Sequence, residues 1–295
     1  MDDRIYRIID FPSFVDLITN KKERFVHPTK WEDTYEGIFF AFKKHPERCE
    51  ALLRDLCGKY SNDLDKMLVN FIKCLYFPVF SYAQCWSNDD DSDALWRIYD
   101  NEKKSVQICT TVDTYQDLLK KLLDPKPEIS NYAVQIKDIE YDLTGDNKEE
   151  MVKKLRESLL SENDLCDMYF HKRTAFEHEK EKRVLIFNKA GASVFDYFGQ
   201  YPIYDRIKVL CNNNLDNATL DIIIAATKEY IPTLNLNNDY DLNIPVCSNG
   251  GKLSDYILSV RLNPFAADWI DDLVGTLCRN NGLNYEGKSK LYEED

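Results

Sequence analysis

Apolar and polar positions along the chain follow two periods, one of two residues and one of three to four, and the segments alternate in no regular order. Ile5 to Ile9 (IYRII) reads as a short strand, and Phe11-Pro12-Ser13 then opens a helix over Phe14 to Asn20, with Ser13 as the expected cap. Arg24 to His27 reads as a second strand that Pro28 ends. Helical spacing of Leu52, Leu56, Leu64, Leu68 and Leu75 predicts helices across Gly37 to Lys44 and Glu47 to Phe77. A strand ending in Ser87 follows, then an acidic turn, a short helix carrying Trp96 and Tyr99, and another strand reaching Thr110. Thr114 to Leu123 is helical, Tyr132 to Tyr141 alternates as a strand, and Asn147 to Phe170 reads as one long amphipathic helix. Strands are expected at Glu179 to Phe187, Tyr204 to Leu210 and Ile257 to Leu262. Leu220 to Thr227, inside an Asn- and Asp-rich stretch from 212 to 249, fits a helix or a buried strand equally well. Phe265 to Asn280 is a helix with Gly282 as its stop, and a terminal strand begins beyond Leu283. Irregular mixing of this kind predicts the α+β class, in a single domain spanning 1–295.

Composition narrows the function classes. The 295 residues are 44% hydrophobic and 13% aromatic, which is a globular composition. A net charge of −13 argues against a broad phosphate-binding surface but allows a local basic pocket. The nine cysteines are odd in number and scattered, with no CxxC pair, so a reduced protein without structural zinc is expected. No apolar run approaches membrane length, and the acidic MDDRIYRIID start lacks a signal-peptide pattern. These features predict a cytoplasmic protein with no membrane partner.

Candidate chemistry gathers in three places. Glu179 and Glu181, two apart in an extended strand, would share one face. Two carboxylates on one face disfavour each other's ionisation unless a cation or substrate intervenes, an arrangement suited to stabilising a cationic transition state. A solvated, charged lead-in to the strand is the more common explanation of such a run. Around the acidic turn, Ser87 is placed to hydrogen-bond a ligand, Tyr99 and Trp96 to hold a flat ring, and Ser92 to cap the helix; for each taken alone a structural role is the more common explanation. The third place is the loop holding His27, Trp31, Asp33, Tyr35 and Glu36, directly after a strand, where binding residues often sit. His171 and His178 lie seven apart with no ligand at metal spacing, so no metal-binding residues are expected. No phosphate-binding glycine loop is present.

The order IYRI, RFVHPTKWEDTYEG, CWS…ALWRIYD…SVQI, FEHEKEKRVLIF and ILSVRLNP resembles the bacterial domain-of-unknown-function family 2971 over most of the chain. Its layout is similar to the core of ADP-ribosyltransferases. The resemblance implies a split mixed sheet with a helical insertion at 38–77 and flanking helices. It also implies NAD as substrate, with Arg7 or His27 on the first strand, Trp31 beside them, Ser87 ending the second strand, Trp96 and Tyr99 holding nicotinamide, and Glu179 and Glu181 as the catalytic pair. The acceptor would be a protein or a nucleic acid. A bacterial toxin, effector or phage-defence role, with a cognate antitoxin or other partner protein, would fit. An inactive nucleotide- or protein-binding module on the same fold is the alternative. Two departures stand out: Cys85-Trp86-Ser87 replaces a Ser-Thr-Ser pattern, and Lys182 and Arg183 separate the glutamates from Val184-Leu185.

Overall fold

The computed structural model describes residues 3–31, 33, 81–100, 102–123, 132–143, 166–188 and 241–293. The expected insertion at 38–77, most of the helix expected at 147–170, and the segments 204–210 and 220–227 lie outside these residues.

Strand β1 (Arg4–Ile9) leads into helix α1 (Phe11–Asn20). Phe14, Leu17 and Ile18 form the buried stripe of α1, at the three- and four-residue spacing that one helix face requires. The cap is Asp10 rather than Ser13: its carboxylate accepts from the Ser13 backbone N–H at 2.6 Å. Lys21, left-handed at φ 52°, ends the helix by donating its N–H to the Leu17 carbonyl. The chain then forms β2 (Lys22–Phe25), β3 (Ser81–Ser87), α2 (Asp93–Tyr99), β4 (Val106–Thr111) and α3 (Val112–Leu123).

The strand expected over Tyr132 to Tyr141 is two. Strand β5 (Tyr132–Asp138) stays in the main sheet, whereas β6 (Glu140–Leu143) leaves it and pairs in parallel with β7 (His171–Arg173). Asp167–Phe170, expected as the end of a long helix, is a 3₁₀ turn. The remaining elements are β8 (Glu181–Asn188), β9 (Leu242–Pro245), β10 (Ser259–Leu262), α4 (Asp268–Asn280) and β11 (Tyr285–Lys288). Gly282, at φ 67°, follows α4 as its stop, a conformation that costs glycine little.

The protein is thus a mixed α/β fold around a seven-stranded mixed sheet in the order β11-β10-β4-β1-β3-β8-β5. Strands β1 and β4 pair along their whole length, from Arg4↔Thr111 to Ile9↔Val106. Strands β3 and β8 do the same, from Ser81↔Phe187 to Ser87↔Glu181. Between these halves, β1 and β3 share the single register pair Tyr6↔Ser87 among the described residues. The sheet therefore divides at β1/β3, and apolar residues from both halves, including Ile5, Ile108, Val184 and Ile186, meet α1 and α3 in one core. No helix among the described residues is long and apolar enough to cross a membrane.

Candidate active site

The divided sheet opens a cavity of about 530 Å³, lined from both of its faces. Register decides which residue faces which way. Tyr6 opposes Ser87, and Ser87 opposes Glu181, so the three form one cross-strand row on one face. Arg7, Gln84 and Trp86 alternate with that row and project to the other face, where the Arg7 guanidinium lies 4.7 Å from the Trp86 ring centre. Tyr6, Ser87, Tyr99, Glu179 and Glu181 all line the cavity although four separate stretches of chain supply them.

Glu179 reaches the site by a turn, not by strand alternation. Thr174–Glu179 is 3₁₀, Lys180 is left-handed at φ 42°, and the strand starts only at Glu181. That unusual backbone position for a non-glycine residue turns the chain so that both carboxylates meet one ammonium group. Lys172 Nζ donates to Glu179 Oε2 at 2.6 Å and to Glu181 Oε2 at 3.3 Å. Arg183 clamps Glu181 with two bonds, Nε to Oε1 at 2.7 Å and an Nη to Oε2 at 2.9 Å. The guanidinium also donates to the Tyr169 carbonyl at 2.6 Å and sits 4.4 Å from the Trp31 ring centre. Burial alone would raise the Glu181 pKa; Arg183 and then Lys172 outweigh it and hold the carboxyl below its ordinary value. Glu181 is therefore a fixed negative charge rather than a proton acceptor.

Tyr99 forms the open wall. It exposes 46% of its surface, yet its hydroxyl end is desolvated and faces the carboxylates. That desolvation, followed by the charge of Glu179, pushes its pKa up, so the phenol keeps its proton as a donor. Tyr141 braces the pair from behind: its hydroxyl accepts from the Glu181 backbone N–H at 2.6 Å, and burial pushes its pKa up to about 12. Ser87 is occupied by the fold, donating to the Glu179 carbonyl at 2.8 Å and accepting from the Asp89 N–H at 3.0 Å.

On the opposite face lies a second buried carboxylate, Glu23, that no motif or spacing singles out. Glu23 accepts from Arg7 at 3.0 and 2.7 Å, from Gln84 at 2.8 Å and from the Tyr256 hydroxyl at 2.8 Å. Gln84 Oε1 accepts in turn from Trp86 Nε1 at 2.9 Å and from the Tyr115 hydroxyl at 2.6 Å. Burial, then the Glu23 charge, pushes the Tyr115 and Tyr256 hydroxyls well up, which keeps both as donors. In sequence Glu23 sits in a run of charges, KKER, and only its pairing in β2 against β9 turns it inward.

The expected residues divide accordingly. Ser87, Tyr99, Glu179, Glu181, Arg7 and Trp31 line the cavity. Arg7 does so from the face opposite Tyr99, with its guanidinium committed to Glu23, and Tyr6 takes the first-strand position beside Ser87. Trp96 is 2% exposed, donates to Asp91 at 2.8 Å and does not line the cavity. His27 is 1% exposed, edge-on to Tyr82 at 5.6 Å, and is likewise absent from the lining. Tyr35 and Glu36 lie outside the described residues. Ser92 occupies the cap position of α2 without a side-chain cap bond. No protein-family model, no curated protein and no solved structure matches the chain.

Proposed function

We propose that the cavity binds a nicotinamide dinucleotide of the NAD class and that the chain transfers its ADP-ribose to an acceptor or to water, on an ADP-ribosyltransferase-like split sheet. The observation that carries this reading is the convergence of Tyr99, Ser87, Glu179 and Glu181 on one cavity at the division of the sheet. A volume of about 530 Å³ is in the range of a small-molecule site. In the reaction the bond between ribose C1′ and the nicotinamide nitrogen breaks, and its electron pair leaves with nicotinamide. The ribose is left cation-like. Glu181, held ionised in a desolvated site, stabilises that charge without reorganising. Glu179 takes the proton of the attacking hydroxyl as the new bond to C1′ forms. Tyr99 offers its ring to the nicotinamide.

One feature favours a second reading, a module that binds the same ligand class without turning it over. Lys172 and Arg183 match the two carboxylates charge for charge, which weakens the field available to a cation. Incubation of the purified protein with NAD, followed by measurement of free nicotinamide and of ADP-ribose transferred to lysate proteins and nucleic acids, separates the two. Release or transfer supports the enzyme; saturable binding with neither supports the module; absence of both removes the dinucleotide reading. Glu179→Gln is expected to reduce transfer more than hydrolysis, since a proton acceptor matters less when water is the nucleophile.

A further inference from the structure

The β6–β7 ribbon has two faces with different chemistry. Glu140 opposes His171 and Tyr141 opposes Lys172 in its register. Tyr141 and Lys172 point toward the candidate site, where they hold Glu181 and Glu179. Alternation sends Glu140, Asp142 and His171 to the other side. There, one ligand atom from each lies within 4.8 Å of the others. His171 Nδ1 is 3.1 and 3.0 Å from the two Asp142 oxygens and 3.7 Å from Glu140 Oε2.

We propose that Glu140, Asp142 and His171 form a site for a divalent first-row transition metal of the Zn²⁺ type. A tetrahedral ion with bonds of about 2.0–2.2 Å sets its ligand atoms roughly 3.3–3.6 Å apart. The two separations from His171 Nδ1, 3.0 Å to Asp142 and 3.7 Å to Glu140, bracket that interval, and the three ligand atoms all lie within 4.8 Å of one another. The register sets Glu140 opposite His171 and a hydrogen bond holds Asp142 to the same ring, so the backbone already presents all three groups to one point. The Glu140 side chain is 68% exposed and, without a shared cation, gains little by turning toward the imidazole. One imidazole with two carboxylates suits a borderline ion, whereas Mg²⁺ and Ca²⁺ prefer all-oxygen shells. The burial gradient, from His171 at 13% to Glu140 at 68%, leaves the Glu140 side open for the ion and for a water as fourth ligand. The ion's role is positional. It joins β6 to β7, and so fixes the Tyr141 and Lys172 side chains that brace the carboxylate pair from the other face.

The test is a Co²⁺ titration of chelator-stripped full-length protein by visible absorption, with hydrogen exchange followed in parallel. One equivalent should saturate a weak visible band of nitrogen–oxygen ligation, without the intense near-ultraviolet band of thiolate ligation. The nine cysteines make that distinction necessary. Zn²⁺ should displace Co²⁺, Mg²⁺ and Ca²⁺ should not, and amides in 140–143 and 171–173 should exchange more slowly with metal bound. Asp142→Asn and His171→Ala should each weaken binding by about 100-fold or more. Glu140→Gln, at a side chain 68% exposed, should weaken it by about tenfold. Absence of stoichiometric binding, a thiolate band, or affinity unchanged in all three variants would overturn the assignment. None of these readouts depends on NAD turnover.

Discussion

Two buried carboxylate clusters flank the division of the sheet, and they are built to different ends. On one face Glu23 meets a single guanidinium, an amide and a phenol, and each of its oxygens accepts two bonds. Its neighbours Trp86, Tyr115 and Tyr256 are fully buried aromatics in mutual contact. On the other face two carboxylates share one lysine beneath an exposed tyrosine ring, at the end of a strand entered through a left-handed residue. A saturated carboxylate at the centre of packed aromatics holds a fold together. Crowded carboxylates on a cavity wall, with like charges close and an aromatic ring left bare, are more costly to maintain and suit chemistry.

The largest expected effect falls on the first cluster. Glu23→Gln leaves the buried Arg7 without its counter-charge and should cost about 3–5 kcal/mol of stability, read by chemical denaturation. Replacing Arg7 and Glu23 together with leucine should cost less than either single change, because no buried charge is then uncompensated. If the double variant is the least stable, the pair is not a closed unit and the contrast between the faces weakens.

Next comes Glu181→Gln. It also strips the fully buried Arg183 of its direct counter-charge, but Glu179 stays nearby on Lys172 and partly offsets the two cations, so the loss of stability should be about 3 kcal/mol, at or just below that at Glu23. A larger loss than for Glu23→Gln would make the second cluster the structural one.

Acid should expose the same carboxylate. Its folded pKa lies below the ordinary value of 4.5, so its stabilising contribution is fully present above that value and is lost as the pH falls through the folded pKa. Denaturation midpoints followed from about pH 6 to pH 3 should therefore fall less steeply in Glu181→Gln than in the parent. Identical slopes would mean that Arg183 and Lys172 do not hold the pKa down.

The smallest effect is expected at Tyr99. Its ring is 46% exposed, so Tyr99→Ala should change stability by no more than about 0.5 kcal/mol. Loss of a ring contact of about 1 kcal/mol should nevertheless raise the Kd for NAD roughly fivefold, measured by calorimetry. A stability loss well beyond that, with Kd unchanged, would return Tyr99 to the core.

The sequence carried the strand–helix order because period-two and period-3.6 patterns record local burial, and β1, α1, β3, α2 and α4 fall close to where those patterns place them. It also marked Ser87, Tyr99, Glu179 and Glu181, since aromatics and carboxylates in unusual runs are visible without a fold. Long-range pairing was invisible. Glu23 looks solvated until β9, more than two hundred residues later, pairs with β2. His171 shows no metal spacing because its neighbours Glu140 and Asp142 arrive through a strand that breaks at Ile139. The resemblance implies a ligand role for Arg7 by its place on the first strand, but the register that turns it away from Ser87 is a property of the paired sheet. Trp96 and Tyr99, three apart on one short helix, could not be told apart by spacing; the first is buried against Asp91 and the second stands in the cavity.

The measurement that bears most directly on the contrast is the rate of nicotinamide release from NAD by the parent and by Glu181→Gln, each normalised to its folded fraction. Measurable release by the parent and a loss of about 10²–10³ in the variant are expected, the size that follows when one preorganised charge is removed from a developing cation. Equal rates in the two folded proteins would contradict this expectation.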